Sequence, residues 1–168
     1  IYERNLVPAS NLAEVDGAVN EVRATVERVL TAPDAAARQE RLGDIATFSS
    51  QAQEAWDRYA ATEPTAEEAT ARETFLADWR AFQASAGDDV IAAATAGDAT
   101  GAARAEQEVL DPLFDAVSAD LAVLDDIQDQ QAAAAAAEAQ QTYEHGRLAV
   151  VVSALLGSAA AVALALVI

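Results

Sequence analysis

One helical pattern runs without a break through residues 110–168, LDPLFDAVSADLAVLDDIQDQQAAAAAAEAQQTYEHGRLAVVVSALLGSAAAVALALVI. In its first half, apolar side chains recur at alternating spacings of four and three residues. This spacing keeps one face of a helix against a partner helix, as in a coiled coil. The positions are Leu110, Phe114, Val117, Leu121 and Leu124, followed on the same face by Gln128 and Gln131. The pattern predicts a long helix whose first half packs in a bundle.

The second half of this stretch predicts a transmembrane helix. Leu148–Ile168 holds 21 residues without a charge. At the rise of an α-helix they extend about 31 Å, the thickness of a hydrocarbon core. His145 and Arg147 come just before the span, where polar side chains can reach the headgroups. Small residues recur at a spacing of four in this span, at Ser153, Gly157, Ala161 and Ala165. This spacing either provides a contact face for another helix in lipid or arises by chance in an alanine-rich span.

The charge of the chain restricts the classes of partner that it can bind. The net charge is −18, and all ten basic residues are arginine. Such a surface repels phosphates and the anionic cytoplasmic leaflet, so we expect no nucleic-acid partner. It suits a domain that is translocated across a membrane, because basic residues hold loops in the cytoplasm. The chain has no cysteine, so it has no disulfide framework and no thiolate site.

Three more helices precede the long one. The first carries a seam with the coiled-coil spacing, consisting of Leu12, Val15, Val19, Val22, Val26 and Val29. Thr31 is the candidate cap between this helix and a second one, 35–61, and Asp34 complements the positive end of the second helix. Thr65 and Glu68 form the capping-box pattern for a third helix. Gly97-Asp98 should end that helix and begin the fourth.

These elements predict an all-α fold. Since no alternating apolar run appears, we assign no strand. Four helices joined by tight turns predict an up-down-up-down antiparallel four-helix bundle whose last helix continues into the transmembrane helix. The domains are then 1–147, an extracytoplasmic bundle, and 148–168, the membrane span. We interpret the aromatic residues as core rather than as an aromatic cage; they are Phe48, Trp56, Tyr59, Phe75, Trp79, Phe82 and Phe114.

The residue inventory argues against an enzyme. His145 is the single histidine, and methionine and cysteine are absent. A di-iron bundle, a haem site and a serine nucleophile all need residues that this inventory lacks. Neighbouring acids such as Asp88 and Asp89 diverge on a helix and indicate a solvated face. Although carboxylates could also hold a divalent cation, we predict no catalytic residue, no metal and no cofactor.

Several motifs resemble one family. Three features are similar to the four-helix-bundle ligand-binding domain of methyl-accepting chemotaxis proteins. They are the opening IYERNLVPASNL at residues 1–12, Arg23, which fits the Arg near which the family's seam ends, and Val90-Ile91 followed by Ala96-Gly97-Asp98. The resemblance covers the whole chain and places Leu148–Ile168 at the family's second membrane helix. It implies a homodimer through helices one and four, in which binding of a small molecule or a periplasmic binding protein shifts helix four. The second membrane helix then passes this shift to a cytoplasmic kinase complex.

The resemblance also implies candidate ligand-binding residues. Aspartate-type members hold a carboxylate with arginines on the first helix, and Arg23 and Arg28 match two of them by their spacing. The third position falls at Ala32, which cannot donate. The alternative is that Arg23 and Arg28 are solvated or paired with Glu21 and Glu27 on the bundle surface.

The same module leaves three functions open. The first is the sensor of a chemoreceptor, the second the input domain of a membrane histidine kinase, and the third a structural membrane-anchored bundle. We expect the chain to be a fragment of a two-pass inner-membrane protein. Since helix four is longer than helix one, roughly 15 to 20 residues and a first membrane helix should precede Ile1.

Overall fold

The valine seam of the first helix forms one wall of the core. The computed structural model describes the backbone of residues 2–167 and the side chains of residues 8–145 and 147. The first helix spans Tyr2–Leu30 and continues through Pro8. Its predicted seam is confirmed, because each of these side chains is 2% exposed or less: Leu12, Val15, Val19, Val22, Val26 and Val29. Packing therefore outweighs the poor helix propensity of valine.

The second helix spans Ala35–Ala60, and its N-cap is not the predicted Thr31. Asp34 is the N-cap, and its Oδ1 accepts a hydrogen bond from the Ala37 amide at 2.8 Å. Thr31 instead closes the preceding helix, since its hydroxyl donates to the carbonyl of Glu27 at 3.2 Å. An aspartate at this position satisfies an orphan amide and also complements the positive helix end.

The third helix is capped as predicted and then changes its winding. It runs as an α-helix over Ala66–Ser85, where the Thr65 hydroxyl accepts from the Glu68 amide at 3.2 Å. It continues as a π-helical turn, Ala86–Ile91, and a last α-helical turn, Ala92–Thr95. The predicted stop is confirmed at Gly97, whose φ of +82° is the left-handed conformation that glycine adopts without a steric cost.

The fourth helix begins in three pieces. Asp98 caps Ala99–Ala105 by accepting from the Gly101 amide at 2.8 Å. A π-helical turn, Glu106–Leu110, follows, and an α-helix spans Asp111–Val167. The π turn ends two residues before Pro112, which lacks an amide donor and whose ring clashes with the carbonyl four residues earlier in a regular α-helix. A wider turn relieves this clash.

The four helices pack as an all-α four-helix bundle, which confirms the predicted fold class. The described backbone, 2–167, contains no strand. The core continues through aromatic pairs, with Trp56 stacked on Phe75 at 4.5 Å between ring centroids and Phe82 tilted against Phe114 at 5.9 Å. The predicted seam of helix four contributes buried side chains, namely Leu110, Val117, Leu121 and Leu124, and a partly buried Phe114.

The chain divides into two compact units, Ile1–Asp129 and Gln130–Ile168. The second unit is helical through Val167 and contains a side-chain hydrogen bond from Gln140 Nε2 to Glu144 Oε1 at 2.8 Å. Among the residues searched, no helix combines the length and the apolar character that crossing a bilayer requires. The side chains of the predicted span Leu148–Ile168, including its small-residue ladder, lie outside the described residues. The transmembrane helix therefore stays a prediction.

Candidate functional site

Arg23, the first predicted ligand-binding residue, joins helix one to helix four. Its NH1 lies 3.0 Å from Glu106 Oε1, and its NH2 lies 2.6 Å from Asp111 Oδ1. NH1 also lies 3.2 Å from Glu27 Oε1 on its own helix. The Arg23 side chain is 14% exposed, so these pairs are less screened than ordinary surface pairs. We call Arg23, Glu27, Glu106 and Asp111 the arginine clamp.

The π-helical turn of helix four makes this clamp possible. Residues five apart in a regular α-helix point in diverging directions, so Glu106 and Asp111 could not both face one guanidinium. In the π turn the Asp111 amide donates to the Glu106 carbonyl, which stacks residues i and i+5 above each other. The two carboxylates therefore lie on the same face. Sequence periodicity missed this contact because it assumes α-helical winding.

Arg28, the second predicted residue, lies apart from the clamp. Its side chain is 47% exposed, and NH1 lies 3.6 Å from Glu21 Oε2 and 3.2 Å from Thr25 Oγ1. Arg23 and Arg28 share no partner among the described side chains. Within one chain the two arginines therefore do not form a joint site. A carboxylate ligand at Arg23 must compete with the carboxylates that already occupy it.

The clamp predicts unequal effects for the two arginines. We expect Arg23→Ala to lower the free energy of unfolding by about 1–2 kcal/mol, because charged hydrogen bonds are lost and three carboxylates remain close together. Arg28→Ala should change it by less than about 1 kcal/mol, as is typical of an exposed pair. Urea unfolding of both variants measures this, and 1 M salt should narrow the difference. Equal effects of the two substitutions contradict the clamp.

A second polar cluster lies in the core at the opposite end of the bundle. Glu68, 2% exposed, accepts through Oε1 from the Arg72 NH2 at 2.6 Å, the Tyr59 hydroxyl at 2.7 Å and the Gln128 Nε2 at 3.1 Å. These side chains come from helices two, three and four. We call Tyr59, Glu68, Arg72 and Gln128 the buried network. It fixes these helices to one another, because a buried polar group is costly unless its partners are in place.

Arg72 also holds the turn between helices two and three. Its NH1 donates to the Thr62 carbonyl at 3.0 Å, and its NH2 donates to the Thr62 hydroxyl at 2.9 Å. The guanidinium carbon lies 4.4 Å from the centre of the Tyr59 ring, a cation–π contact. Burial, and secondly the hydrogen bond to Glu68, raises the pKa of Tyr59 to about 12. The Tyr59 hydroxyl is protonated at physiological pH even at the ordinary pKa of tyrosine, and this shift keeps it a donor to Glu68 at higher pH as well.

Sequence reasoning identified the members of the buried network only in part. Glu68 was expected as a capping residue and Gln128 as a position on the seam of helix four. The available signals were a glutamine on an otherwise apolar face and the spacing of four between Glu68 and Arg72. Neither signal shows which helices meet, so the network required the tertiary structure.

A carboxyl pair between helices three and four is sensitive to pH. Burial, followed by the charge of Asp78 and a hydrogen bond with it, raises the pKa of Asp120. The Oδ2 atom of Asp120 is buried without a hydrogen-bond partner. Because the folded state holds this proton more tightly than the unfolded chain does, the pair costs stability as the pH rises through the folded-state pKa.

This sign predicts a stabilising substitution. We expect Asp120→Asn to raise the free energy of unfolding at pH 7 by about 0.5–1 kcal/mol, the range of a partly exposed charge interaction. The gain should vanish near pH 3, below the ordinary pKa of a carboxyl group, where Asp120 is protonated in both states. Thermal unfolding at the two pH values measures it, with the exposed Asp115→Asn as control. A gain that is independent of pH contradicts the assignment.

The described residues contain no group of three or more histidine, cysteine, aspartate or glutamate side chains that could hold a metal ion. The arginine clamp and the buried network join helices through charged and polar side chains. Comparison with known proteins gives one match: residues 1–143 match the family described as a four helix bundle sensory module for signal transduction. Searches of curated proteins and of solved structures found no match.

Proposed function

Because the chain belongs to the family of four-helix-bundle sensory modules for signal transduction, we propose that it is the extracytoplasmic sensor domain of a bacterial chemoreceptor of the methyl-accepting type. Binding of a small molecule or a periplasmic protein biases the bundle between two arrangements, and the module itself catalyses nothing. The observation that carries the proposal is the family match over 143 of the 168 residues.

The geometry of helix four supports transmission of a signal. Helix four packs in the bundle through its apolar face. Its longest segment, Asp111–Val167, has no break in its helical backbone. In this proposal a displacement near the clamp is carried along helix four. In this proposal residues 1–147 lie outside the inner membrane, and Leu148–Ile168 is the second of two membrane helices. Cytoplasmic signalling proteins receive the displacement.

Ligand-binding residues follow from the same proposal. Arg23 holds carboxylates of helices one and four, so an anionic ligand that replaces Glu106 or Asp111 at the guanidinium loosens helix four from helix one. Arg28 is exposed and available to a ligand or a second chain. A ligand acts only if it favours one arrangement over the other, and the clamp offers such a difference because it spans the two helices.

Exchange of the bundle tests the proposal. In the full-length protein, residues 8–129 are replaced by an unrelated four-helix bundle of equal length, and stimulus-dependent kinase activity is measured in membranes. We expect basal output to remain and the response to stimulus to disappear. An unchanged response identifies the domain as a structural anchor. The output domain of the full-length protein distinguishes the two sensor functions, since a chemoreceptor carries a signalling hairpin and a histidine kinase carries a kinase core.

Cysteine crosslinking tests the homodimer through helices one and four. The chain has no native cysteine, so each single substitution gives an unambiguous product. We expect Ala13→Cys and Ala122→Cys, exposed positions on helices one and four, to form disulfide-linked dimers on mild oxidation. Ala46→Cys and Ala77→Cys, exposed on helices two and three, serve as matched controls and should stay monomeric on a denaturing gel. Dimers from the control positions alone contradict this interface.

A further inference from the structure

A cavity of about 410 Å³ opens where the turns 31–34 and 96–98 lie at the same end of the bundle. Most of its lining residues are small and apolar, with Leu30, Ala94, Ala99 and Ala102 among them, and its charged lining residues are Arg38 and Glu106. The volume is at the lower end of the range for small-molecule sites, which are mostly apolar with a few polar groups. We call it the loop-end cavity.

Arg38 is the unusual residue of this cavity. Four of the described arginines are buried or partly buried, and three of them, Arg23, Arg41 and Arg72, form ion pairs with carboxylates. No described side chain forms an ion pair with Arg38, and its Nε is buried without a hydrogen-bond partner. Because Arg38 lines the cavity, an anion that enters it gives this guanidinium the ion pair that the described side chains do not supply.

The second charged group restricts the anion. Glu106 lines the same cavity and is paired with Arg23 through NH1 at 3.0 Å. A ligand with one carboxylate can pair with Arg38 and place its carbon chain against the alanines. A second carboxylate on the ligand meets the like charge of Glu106 in a chain of net charge −18, which is unfavourable. A cationic ligand lacks any interaction with Arg38.

We propose that the loop-end cavity binds a short aliphatic monocarboxylate, with Arg38 as the residue that pairs with its carboxylate. The site is separate from the predicted pair Arg23 and Arg28, although Glu106 belongs both to the cavity lining and to the clamp. A ligand here therefore lies beside the contact that joins helices one and four. Any effect of the ligand on signalling through that contact rests on the proposed sensor function, whereas binding of the ligand to the cavity does not.

Calorimetric titration of the full 168-residue chain in mild detergent tests the site. The probes are butyrate, succinate, butylammonium and sodium chloride at equal concentrations. We expect butyrate to bind, succinate to bind at least about tenfold more weakly, and butylammonium and chloride to give no binding. Absence of butyrate binding, or equal binding of succinate or chloride, overturns the proposal.

Two substitutions and a control locate the site. Arg38→Gln should weaken butyrate binding by about tenfold or more, since a charge-assisted hydrogen bond is lost. Ala103→Leu, at an exposed position of the lining, should also weaken binding by filling the cavity, and it avoids the core if Arg38→Gln fails to fold. Arg41→Gln, on the same helix, should bind like the parent chain. Unchanged binding in Ala103→Leu, or in folded Arg38→Gln, overturns the proposal.

The result of the binding test can be distinguished from the result of the test of the proposed function. If the full-length receptor responds to stimuli while butyrate does not bind, the cavity assignment fails and the sensor role stands. If butyrate binds with the expected dependence on Arg38 while exchange of the bundle leaves the response unchanged, the sensor role fails and the binding site stands.

Discussion

Arg72→Met is expected to lower the free energy of unfolding by about 3–5 kcal/mol, because it leaves a buried carboxylate without its cation. The Glu68 carboxylate is 2% exposed and lies 2.6 Å from the Arg72 NH2. The same substitution removes the donors to the carbonyl and hydroxyl of Thr62, so the turn between helices two and three also loses its anchor. Urea unfolding followed by circular dichroism measures the loss.

Two further variants separate the buried charge from the loss of packing. The double variant Glu68→Leu, Arg72→Met removes both charges, and it should lose much less stability than Arg72→Met alone. Arg58→Met breaks the ion pair with Glu14, in which both side chains are at least half exposed, and should cost less than about 1 kcal/mol. If Arg58→Met and Arg72→Met have equal effects, the buried network does not stabilise the fold in this way.

Phe82→Ala is expected to lower the free energy of unfolding by about 3–5 kcal/mol, as is typical of a large aromatic side chain removed from a core. Phe82 is fully buried. Its ring stacks on Trp79 at 5.5 Å and tilts against Phe114 of helix four at 5.9 Å between ring centroids. Its loss leaves a cavity between helices three and four that the remaining rings fill only in part.

Phe48→Ala is the matched control for the core. Phe48 is partly buried on helix two, so its removal should cost only about 1–2 kcal/mol. Melting temperature and urea unfolding compare the two variants. If the aromatic residues served as a cage for a cationic ligand, Phe82→Ala would leave the stability unchanged and abolish ligand binding, which is the opposite result.

The arginine clamp changes how the two candidate arginines are understood. Because Arg23 is neutralised by carboxylates from two helices, ligand binding there is an exchange of one anion for another. Such an exchange alters the contact between helices one and four, whereas a ligand at an empty arginine only adds an interaction. Arg23 is therefore suited to couple binding to helix movement, and Arg38 is better suited to hold a small anion.

Local pattern was sufficient for the helices and most of their caps. The spacing from Leu12 to Val29 predicted a buried face because an α-helix repeats its side-chain direction at nearly that interval. Gly97 and Asp98 predicted a stop and a start because only particular residues satisfy helix ends. The prediction of Thr31 as a cap was wrong, because Asp34, predicted only to complement the positive helix end, is the N-cap of the second helix.

Contacts between distant residues depended on the tertiary structure. Glu68 lies 60 residues from Gln128, and Arg23 lies 83 residues from Glu106, so neither contact leaves a periodic signal. The π turn before Pro112 changes the helical repeat itself, and the loop-end cavity exists only where two turns meet. The sequence alone determined the composition, an acidic chain without cysteine. It also determined the four helices and their apolar faces, because those features depend on neighbouring residues. Which charges meet, and which guanidinium is left without a partner, was settled by packing, because packing alone brings distant side chains within a few ångströms.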